Sequence, residues 1–191
     1  MSEASGRTPE AGAIPGNGVR PFELTPHNCF ACGTLNASGM RLAIHVERDR
    51  AWTELVLDRR FEGWEGIAHG GILCTVLDEV MAWSLVGQEN WGLTARLSVD
   101  FKKPVRVGQS LRAEGWVVRA RRRLVEARGR ITDASTGDPI ATGEALYVEA
   151  DEARKRQLQE QYGFRFIDGD DGDGPAFGPS VAATAGDTTG N

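Results

Sequence analysis

The feature that most constrains this chain is a glycine-rich run, Gly66-Ile67-Ala68-His69-Gly70-Gly71, which leads directly into the apolar segment Ile72–Val86. The apolar residues of that segment cover most of the circumference of a helix, and this pattern predicts a helix that is buried on nearly all sides. Such a helix must be wrapped by another layer of structure. We therefore expect the domain to be organised around it, with the helix ending near Gly87.

Two acidic residues, Asp78 and Glu79, interrupt this apolar helix. A buried carboxylate is costly unless it is solvated, paired or used in chemistry. Asp is also a poor mid-helix residue, because its short side chain competes for backbone groups. Thr75 lies three residues before Asp78 on the same face, whereas Glu79 lies about 100° around the helix. We favour Asp78 as a reactive acid, the alternative being a carboxylate that only reaches water.

The helix entrance, Gly70-Gly71, can admit a ligand close to the backbone because glycine has no Cβ. The N–H groups of a first helical turn lack intrahelical partners, and the helix dipole is positive there. Such an arrangement can hold the oxygen of a polarised carbonyl as an oxyanion hole. The alternative is a glycine turn that simply begins a core helix.

The composition is ordinary for one globular domain with tails: 191 residues, 40% hydrophobic and 26% charged. Residues 1–21 and 163–191 lack periodicity and are expected to be disordered tails. The domain is placed at 22–150, with a polar terminal helix at 151–162. Most of the net charge of −5 lies in the last tail, so the nearly neutral core predicts no nucleic-acid partner.

The N-terminus lacks the basic-then-apolar pattern of a signal peptide. By the sequence criterion no apolar run is long enough to span a bilayer, so no membrane partner is expected. Three cysteines are too few, and odd in number, for a disulfide framework. These observations favour a cytoplasmic protein.

A cysteine-containing turn, His27-Asn28-Cys29-Phe30-Ala31-Cys32-Gly33, precedes the domain's first strand. It supplies three plausible zinc ligands, but a structural zinc site usually has four. The other sharp alternative is a redox pair, although no βαβ pattern follows it. We favour packed thiols in a small-residue turn and expect no metal and no cofactor.

Alternating apolar residues predict strands at Met40–Glu47 and Ala51–Leu57, before the helix, and a loop at Arg59–Glu65. Four more strands are expected as a meander after it, at Thr94–Phe101, Gln109–Arg119, Arg123–Ile131 and Pro139–Val148. The fold class is therefore α+β, with an antiparallel sheet wrapped around one long helix.

The order and spacing of these motifs resemble the hotdog-fold acyl-CoA thioesterases of the phenylacetate-degradation (PaaI-like) superfamily, in the branch related to carboxyl-terminal modulator protein. The motifs that carry the resemblance are Cys29-Phe30-x-Cys32-Gly33, Phe61-x-Gly63, Gly66-x-x-His69-Gly70-Gly71, Leu77-Asp78, Thr94-Ala95-x-Leu97 and Phe101-Lys102-x-Pro104. The resemblance covers about residues 27–150. One departure is Gly63, which stands where many phenylacetate-type members have Asn.

The resemblance implies a site in which Asp78 activates water or attacks the thioester carbonyl and the Gly70 N–H binds the oxyanion. Thr94 would orient water or substrate, and His69 would open the motif with a mainly structural role. Gly71 and Thr75 are further substrate-binding candidates. The resemblance also implies a homodimer or dimer of dimers with active sites shared between subunits.

Lys102, Lys103 and Arg106 follow a core strand and are candidates for binding coenzyme A phosphates. The alternative is a solvated turn. Trp64, Trp83 and Trp91 are candidates for an acyl pocket or for ordinary core packing. The sequence thus predicts an acyl-CoA thioesterase, with a non-catalytic acyl-CoA-binding module on the same fold as the alternative.

Overall fold

The computed structural model describes residues 19–167 and contains the expected central helix, α1, at Gly70–Gly87. His69 is its N-cap, and its side chain accepts a hydrogen bond from the Gly71 N–H. The core-facing residues of two successive helical turns are completely buried, namely Val76, Leu77, Val80 and Met81. The apolar surface read from the sequence is therefore covered on most of its circumference, while Ile72, Cys74 and Ala82 remain half-buried.

The strands of the described residues are β1 Phe22–Glu23, β2 His45–Val46, β3 Arg50–Val56, β4 Glu62–Trp64, β5 Ile67–Ala68, β6 Gly92–Phe101, β7 Ser110–Arg121, β8 Leu124–Asp133, β9 Pro139–Glu149 and β10 Arg165–Phe166. Six of them form an antiparallel sheet that wraps this helix, in the spatial order β2-β3-β7-β8-β9-β6. A 3-10 turn at Arg59–Phe61 and a second helix, α2, at Glu152–Tyr162 complete them. The predicted α+β architecture is confirmed.

The helix and sheet approach most closely at Gly115 in the central strand β7. A Cβ atom on Gly115 would lie 2.5 Å from the carbonyl carbon and oxygen of Val80. Only glycine lets the helix backbone lie directly on the strand at this point.

The predicted meander of four strands is wrong for its first member. Strands β7, β8 and β9 do form a meander, but β6 pairs with β9 and lies at the edge of the sheet. The connection after β6 runs toward the helix entrance, where the Val105 carbonyl accepts a hydrogen bond from the Ala68 N–H at 2.9 Å. The chain then enters β7, which lies between β3 and β8 in the interior of the sheet.

The predicted strand Met40–Glu47 is largely wrong as a sheet element, since β2 contains only His45–Val46. The alternation itself is real, because Met40, Leu42, Ile44 and Val46 are all buried. The N–H groups of Met40 and Leu42 donate to carbonyls of the cysteine turn, Phe30 O and Ala31 O, rather than to a sheet strand. The expected loop at Arg59–Glu65 likewise holds the 3-10 turn and β4.

The start of the expected C-terminal tail is ordered. Residues 163–167 include β10, which pairs with β1, and Phe164 is buried against the rings of Trp83 and Trp91. The terminal helix α2 is confirmed at Glu152–Tyr162, capped by Asp151. The remainder of both expected tails, 1–18 and 168–191, lies outside the described residues.

By length and composition alone, α1 is apolar enough to cross a membrane, with a mean hydropathy of 1.3 over 18 residues. The expectation that no apolar run is long enough was therefore wrong by that criterion. A core helix of a globular protein meets the same criterion, and 56% of this helix is buried by the surrounding structure.

Candidate functional site

The side chain of Asp78 on α1 is held by two hydroxyl groups. Thr94 Oγ1 donates to Asp78 Oδ1 at 2.9 Å, and Tyr147 OH also lies 2.9 Å from the same oxygen. Tyr147 OH is in addition 3.0 Å from the Asp78 carbonyl oxygen. No hydrogen-bond partner for Oδ2 is found among residues 19–167. One carboxylate oxygen is thus fixed, which leaves the other for water or a ligand.

Strand pairing explains how these two hydroxyls meet. Thr94 on β6 and Tyr147 on β9 are directly opposite one another in the antiparallel register. The register then shifts between Thr94 and Arg96, and bulges of this kind redirect side chains near functional sites. Tyr147 is fully buried, and burial together with the adjacent Asp78 raises its pKa. Tyr147 therefore stays protonated and acts as a donor.

The helix entrance brings His69, Gly70 and Gly71 together. His69 Nδ1 accepts the Gly71 N–H at 2.9 Å, so His69 serves as a cap and the Gly71 N–H is already engaged. The Gly70 N–H has no acceptor among the described residues, and the Phe101 ring lies 3.4 Å from the position that a Gly70 Cβ would occupy. Gly70 thus retains an available donor at the positive end of the helix.

Asp78 and Gly70 do not meet within one chain. They are eight residues apart on one helix, which corresponds to about 12 Å along its axis. Thr75, the other member of the predicted polar stripe, donates through Oγ1 to the Gly71 carbonyl at 3.0 Å, and no hydrogen bond joins it to Asp78 among the described residues. The described chain therefore presents an acid-hydroxyl cluster at one point and an amide donor at another.

The three basic candidates follow the end of β6. Lys103 is paired with Asp138 at 2.7 Å, and Lys102 lies 4.0 Å from Asp100. Arg106 is exposed, and its backbone bridges to Ile67 just before the helix entrance. Arg106 thus lies beside the helix entrance, whereas Lys102 and Lys103 each lie near a carboxylate.

Glu79, the second acid, lies in a different environment from Asp78. It is half-buried and accepts a hydrogen bond from Trp83 Nε1 at 2.8 Å. Burial is the main cause that raises the pKa of Glu79 to about 7. Its neighbours are the thiols of Cys29 and Cys32, which belong to the cysteine turn. Hydrogen bonding from Cys32 lowers the pKa of Cys29 to about 5.

An apolar cavity of about 180 Å³ lies beside this second cluster. Trp83 and Trp91 line it, together with Ala82, which lies one helical turn beyond Asp78. Trp64 is instead 85% exposed. Two of the three tryptophans thus border a cavity and one lies on the surface.

Sequence reasoning missed Tyr147 and the association of Glu79 with the cysteine turn. The pattern of β9 placed Tyr147 on its core-facing side, and a buried tyrosine hydroxyl needs a polar partner. That signal did not indicate which partner it contacts.

Part of the chain matches a known protein family, and solved structures share its fold. Residues 65–151 match the family model described as the thioesterase superfamily. No curated protein matches significantly.

Many solved structures share the fold. A thioesterase superfamily protein of known crystal structure is 23% identical, with a TM-score of 0.60, and the alignment covers 63% of this chain but only 60% of that one. Zebra fish thioesterase superfamily member 2 is 16% identical with a TM-score of 0.57, covering 62% and 90% of the two chains. A hypothetical thioesterase from Streptococcus pneumoniae, solved with coenzyme A, is 18% identical with a TM-score of 0.53, covering 55% and 84%. The helix wrapped by an antiparallel sheet is thus the hotdog fold, which these thioesterase superfamily proteins share, and residues 65–151 are similar to the thioesterase superfamily.

Proposed function

We propose that this protein hydrolyses acyl-CoA thioesters to the free acid and coenzyme A, with Asp78 as the essential carboxylate. The observation that carries the proposal is the asymmetric hold on Asp78. Thr94 and Tyr147 both bind Oδ1 at 2.9 Å, while Oδ2 has no partner among the described residues. A carboxylate on a core helix that is oriented but not neutralised by an ion pair is suited to accept a proton from water.

In this mechanism Asp78 acts as a general base. Its free oxygen takes a proton from a water molecule as that water attacks the thioester carbonyl carbon. Negative charge develops on the carbonyl oxygen and is stabilised by the Gly70 N–H at the helix N-terminus. Collapse of the tetrahedral intermediate breaks the carbon–sulfur bond, and the proton held by Asp78 passes to the leaving thiolate.

Direct attack by Asp78 on the carbonyl is the alternative, and isotope labelling separates the two. Under single-turnover conditions in ¹⁸O-enriched water, a general base leaves Asp78 unlabelled. A nucleophile forms an anhydride with Asp78, and hydrolysis of that anhydride at the protein carbonyl incorporates ¹⁸O into the side chain. Mass spectrometry of the peptide that contains Asp78 reports which occurs.

The active site is proposed to be shared between two copies of the chain. Asp78 and Gly70 of one helix are about 12 Å apart, which is too far for both to act on a single carbonyl group. Strand β6 is a ten-residue edge strand whose Leu93 is 77% exposed, and such an edge is normally covered in a native assembly. A two-fold homodimer could place the partner's helix entrance beside this Asp78. A dimer of dimers would repeat the arrangement.

Coenzyme A phosphates are proposed to bind near Lys102, Lys103 and Arg106. All three are exposed and can donate charge-assisted hydrogen bonds to phosphate. The structural neighbour from Streptococcus pneumoniae was solved with coenzyme A, which supports this ligand class for the fold. Within the superfamily, we place the chain in the PaaI-like group and its branch related to carboxyl-terminal modulator protein, and we propose a cytoplasmic location.

The decisive experiment is thiol release from a panel of short, long and aromatic acyl-CoA substrates. Asp78→Asn keeps the side-chain shape but removes the base, so kcat should fall by roughly a hundredfold or more. Glu65→Gln, an exposed change near the entrance, serves as a matched control and should retain activity. Binding of acyl-CoA with no thiol release from any substrate would instead identify a non-catalytic binding module.

The shared site is tested by complementation. Asp78→Asn and Gly70→Pro chains, each inactive, are co-expressed with different tags and mixed dimers are isolated. One of the two sites in a mixed dimer has both native groups, so about half of the wild-type activity per dimer is expected from this symmetry argument. Inactive mixed dimers built from folded chains would refute the shared site.

A further inference from the structure

The cysteine turn is folded so that its two thiols face the central helix. The Gly33 N–H donates to the Cys29 carbonyl at 3.0 Å, and the Leu35 N–H donates to the His27 carbonyl at 3.1 Å. A Cβ atom on Gly33 would lie 2.4 Å from both Cys29 N and His27 O. The turn can close this tightly only with glycine at that position.

Three potential metal ligands converge where this turn meets α1, and a fourth lies beside one of them. The Sγ atoms of Cys29 and Cys32 and a carboxylate oxygen of Glu79 all lie within 4.8 Å of one another. His27 Nε2 lies 3.5 Å from Cys32 Sγ. For comparison, tetrahedral zinc with ordinary Zn–S and Zn–N bond lengths separates a sulfur from a nitrogen ligand by about 3.5 Å. Bringing the two thiols and the Glu79 carboxylate from at most 4.8 Å apart to similar separations asks for movements of about an ångström.

The surroundings also suit a metal. Trp83 Nε1 donates to Glu79 Oε1 at 2.8 Å, and metal-ligating carboxylates are usually oriented by such a bond. Among the described residues, no lysine or arginine forms an ion pair with Glu79, so its charge has no cationic partner near the two thiols.

We propose that His27, Cys29, Cys32 and Glu79 bind one Zn²⁺ ion in a closed structural site. Two sulfur ligands with one imidazole and one carboxylate favour zinc over harder cations such as Mg²⁺. The turn alone supplies three donors, which is one short of the usual four, and Glu79 completes the set from the helix. The sequence expectation of no metal is thereby revised.

The proposed site has a structural consequence for the domain. It fastens the segment before the sheet to the helical turn that carries Asp78, since Glu79 is the next residue. It also closes the side of the 180 Å³ cavity that His27, Cys29 and Cys32 line. The proposal does not depend on the enzymatic activity, because none of the four proposed ligands is among the residues proposed to act on the thioester.

Metal content of the full-length chain, expressed in zinc-supplemented medium and purified with reductant, is the first test. Elemental analysis should find about one zinc per chain in the wild type. Cys29→Ser and Cys32→Ser should each lose most of it, whereas Cys74→Ser, which changes the third cysteine outside the cluster, should retain it. Asp78→Asn should also retain zinc, so failure of the proposed function and failure of this site are distinguishable.

Two further measurements do not depend on variants that fold. Removing zinc with a chelator should lower the Tm of the wild-type protein, and Zn²⁺ but not Mg²⁺ should restore it. Reconstitution with Co²⁺ should produce the thiolate-to-cobalt charge-transfer absorption of a sulfur-ligated site.

Trp83→Phe, which removes the bond that orients Glu79, should weaken zinc binding by about 10–100-fold.

The proposal is overturned by a wild-type protein that contains no metal and whose Tm does not respond to added Zn²⁺. It is equally overturned if zinc persists in the Cys29→Ser/Cys32→Ser double variant. A metal-free protein whose Cys29–Cys32 disulfide forms when the reductant is removed and is reversed when it is restored would identify a redox pair instead.

Discussion

Tyr147→Phe isolates the contribution of one hydroxyl group to the proposed site. The substitution keeps the aromatic ring that is fully buried in the core and removes the donor at 2.9 Å from Asp78 Oδ1. A hydrogen bond to a charged group contributes about 1.5–3 kcal/mol. If that contribution orients Asp78 in the transition state, kcat should fall by about 10–150-fold with little change in KM.

The same change has a modest expected effect on stability. Losing this hydroxyl from the buried core should cost about 1–2 kcal/mol in the free energy of unfolding, or a Tm lower by roughly 2–8 °C for a domain of this size. Thiol-release kinetics and thermal unfolding measure the two effects separately. Tyr162→Phe, at the only other tyrosine in the chain, is the matched control and should leave kcat unchanged.

A double-mutant cycle with Thr94→Val sharpens the test. Both hydroxyls donate to the same oxygen, so their effects on kcat should be non-additive by more than about 0.5 kcal/mol. Thr94→Val alone should lower kcat moderately with the fold intact. A folded Tyr147→Phe protein with wild-type kcat, or strictly additive effects in the cycle, would refute the idea that the two hydroxyls position Asp78 for catalysis.

Three further predictions concern the assembly, the C-terminal segment and the sheet. Leu93→Asp places a charge on the exposed edge strand β6, so sedimentation should show monomers and activity should be lost. The control variant Val118→Asp on β7 should remain dimeric. An unchanged dimer in Leu93→Asp would exclude this edge as the interface. Phe164→Ala removes a buried ring and should destabilise the domain by about 3–5 kcal/mol. Truncation after Ile167 should leave the Tm nearly unchanged. If calorimetry shows that the Phe164→Ala variant and the truncated protein unfold alike, the segment 163–167 does not stabilise the domain. Burial raises the pKa of Glu114, but the bonds from Arg112 and Arg130 outweigh burial and hold the pKa below its usual value. The carboxylate therefore stabilises the fold at pH values above its unfolded pKa, which is near 4.3. That stabilisation is lost as the pH falls through the lower folded pKa. Tm measured against pH should therefore fall less steeply below about pH 5 in Glu114→Gln than in the wild type, and parallel curves would contradict this assignment.

The sequence by itself determined the organisation of the domain, because local periodicity is written along the chain. The apolar coverage of Ile72–Val86 required a wrapped helix, and alternation located β3 and β7 to β9 within a few residues. The acid Asp78 stood out for the same reason, since a carboxylate on such a helix needs a purpose. The resemblance to hotdog thioesterases added Thr94 as its companion.

Only the tertiary structure decided which distant segments meet. Thr94 and Tyr147 meet at Asp78 because β6 pairs with β9 at the sheet edge. The predicted meander would have paired β6 with β7 instead. Glu79 completes the donor set of the cysteine turn although about 50 residues separate them. Local periodicity reports which face of an element is buried. Its partner is selected by loop crossings, strand register and close packing, and these depend on the whole fold at once.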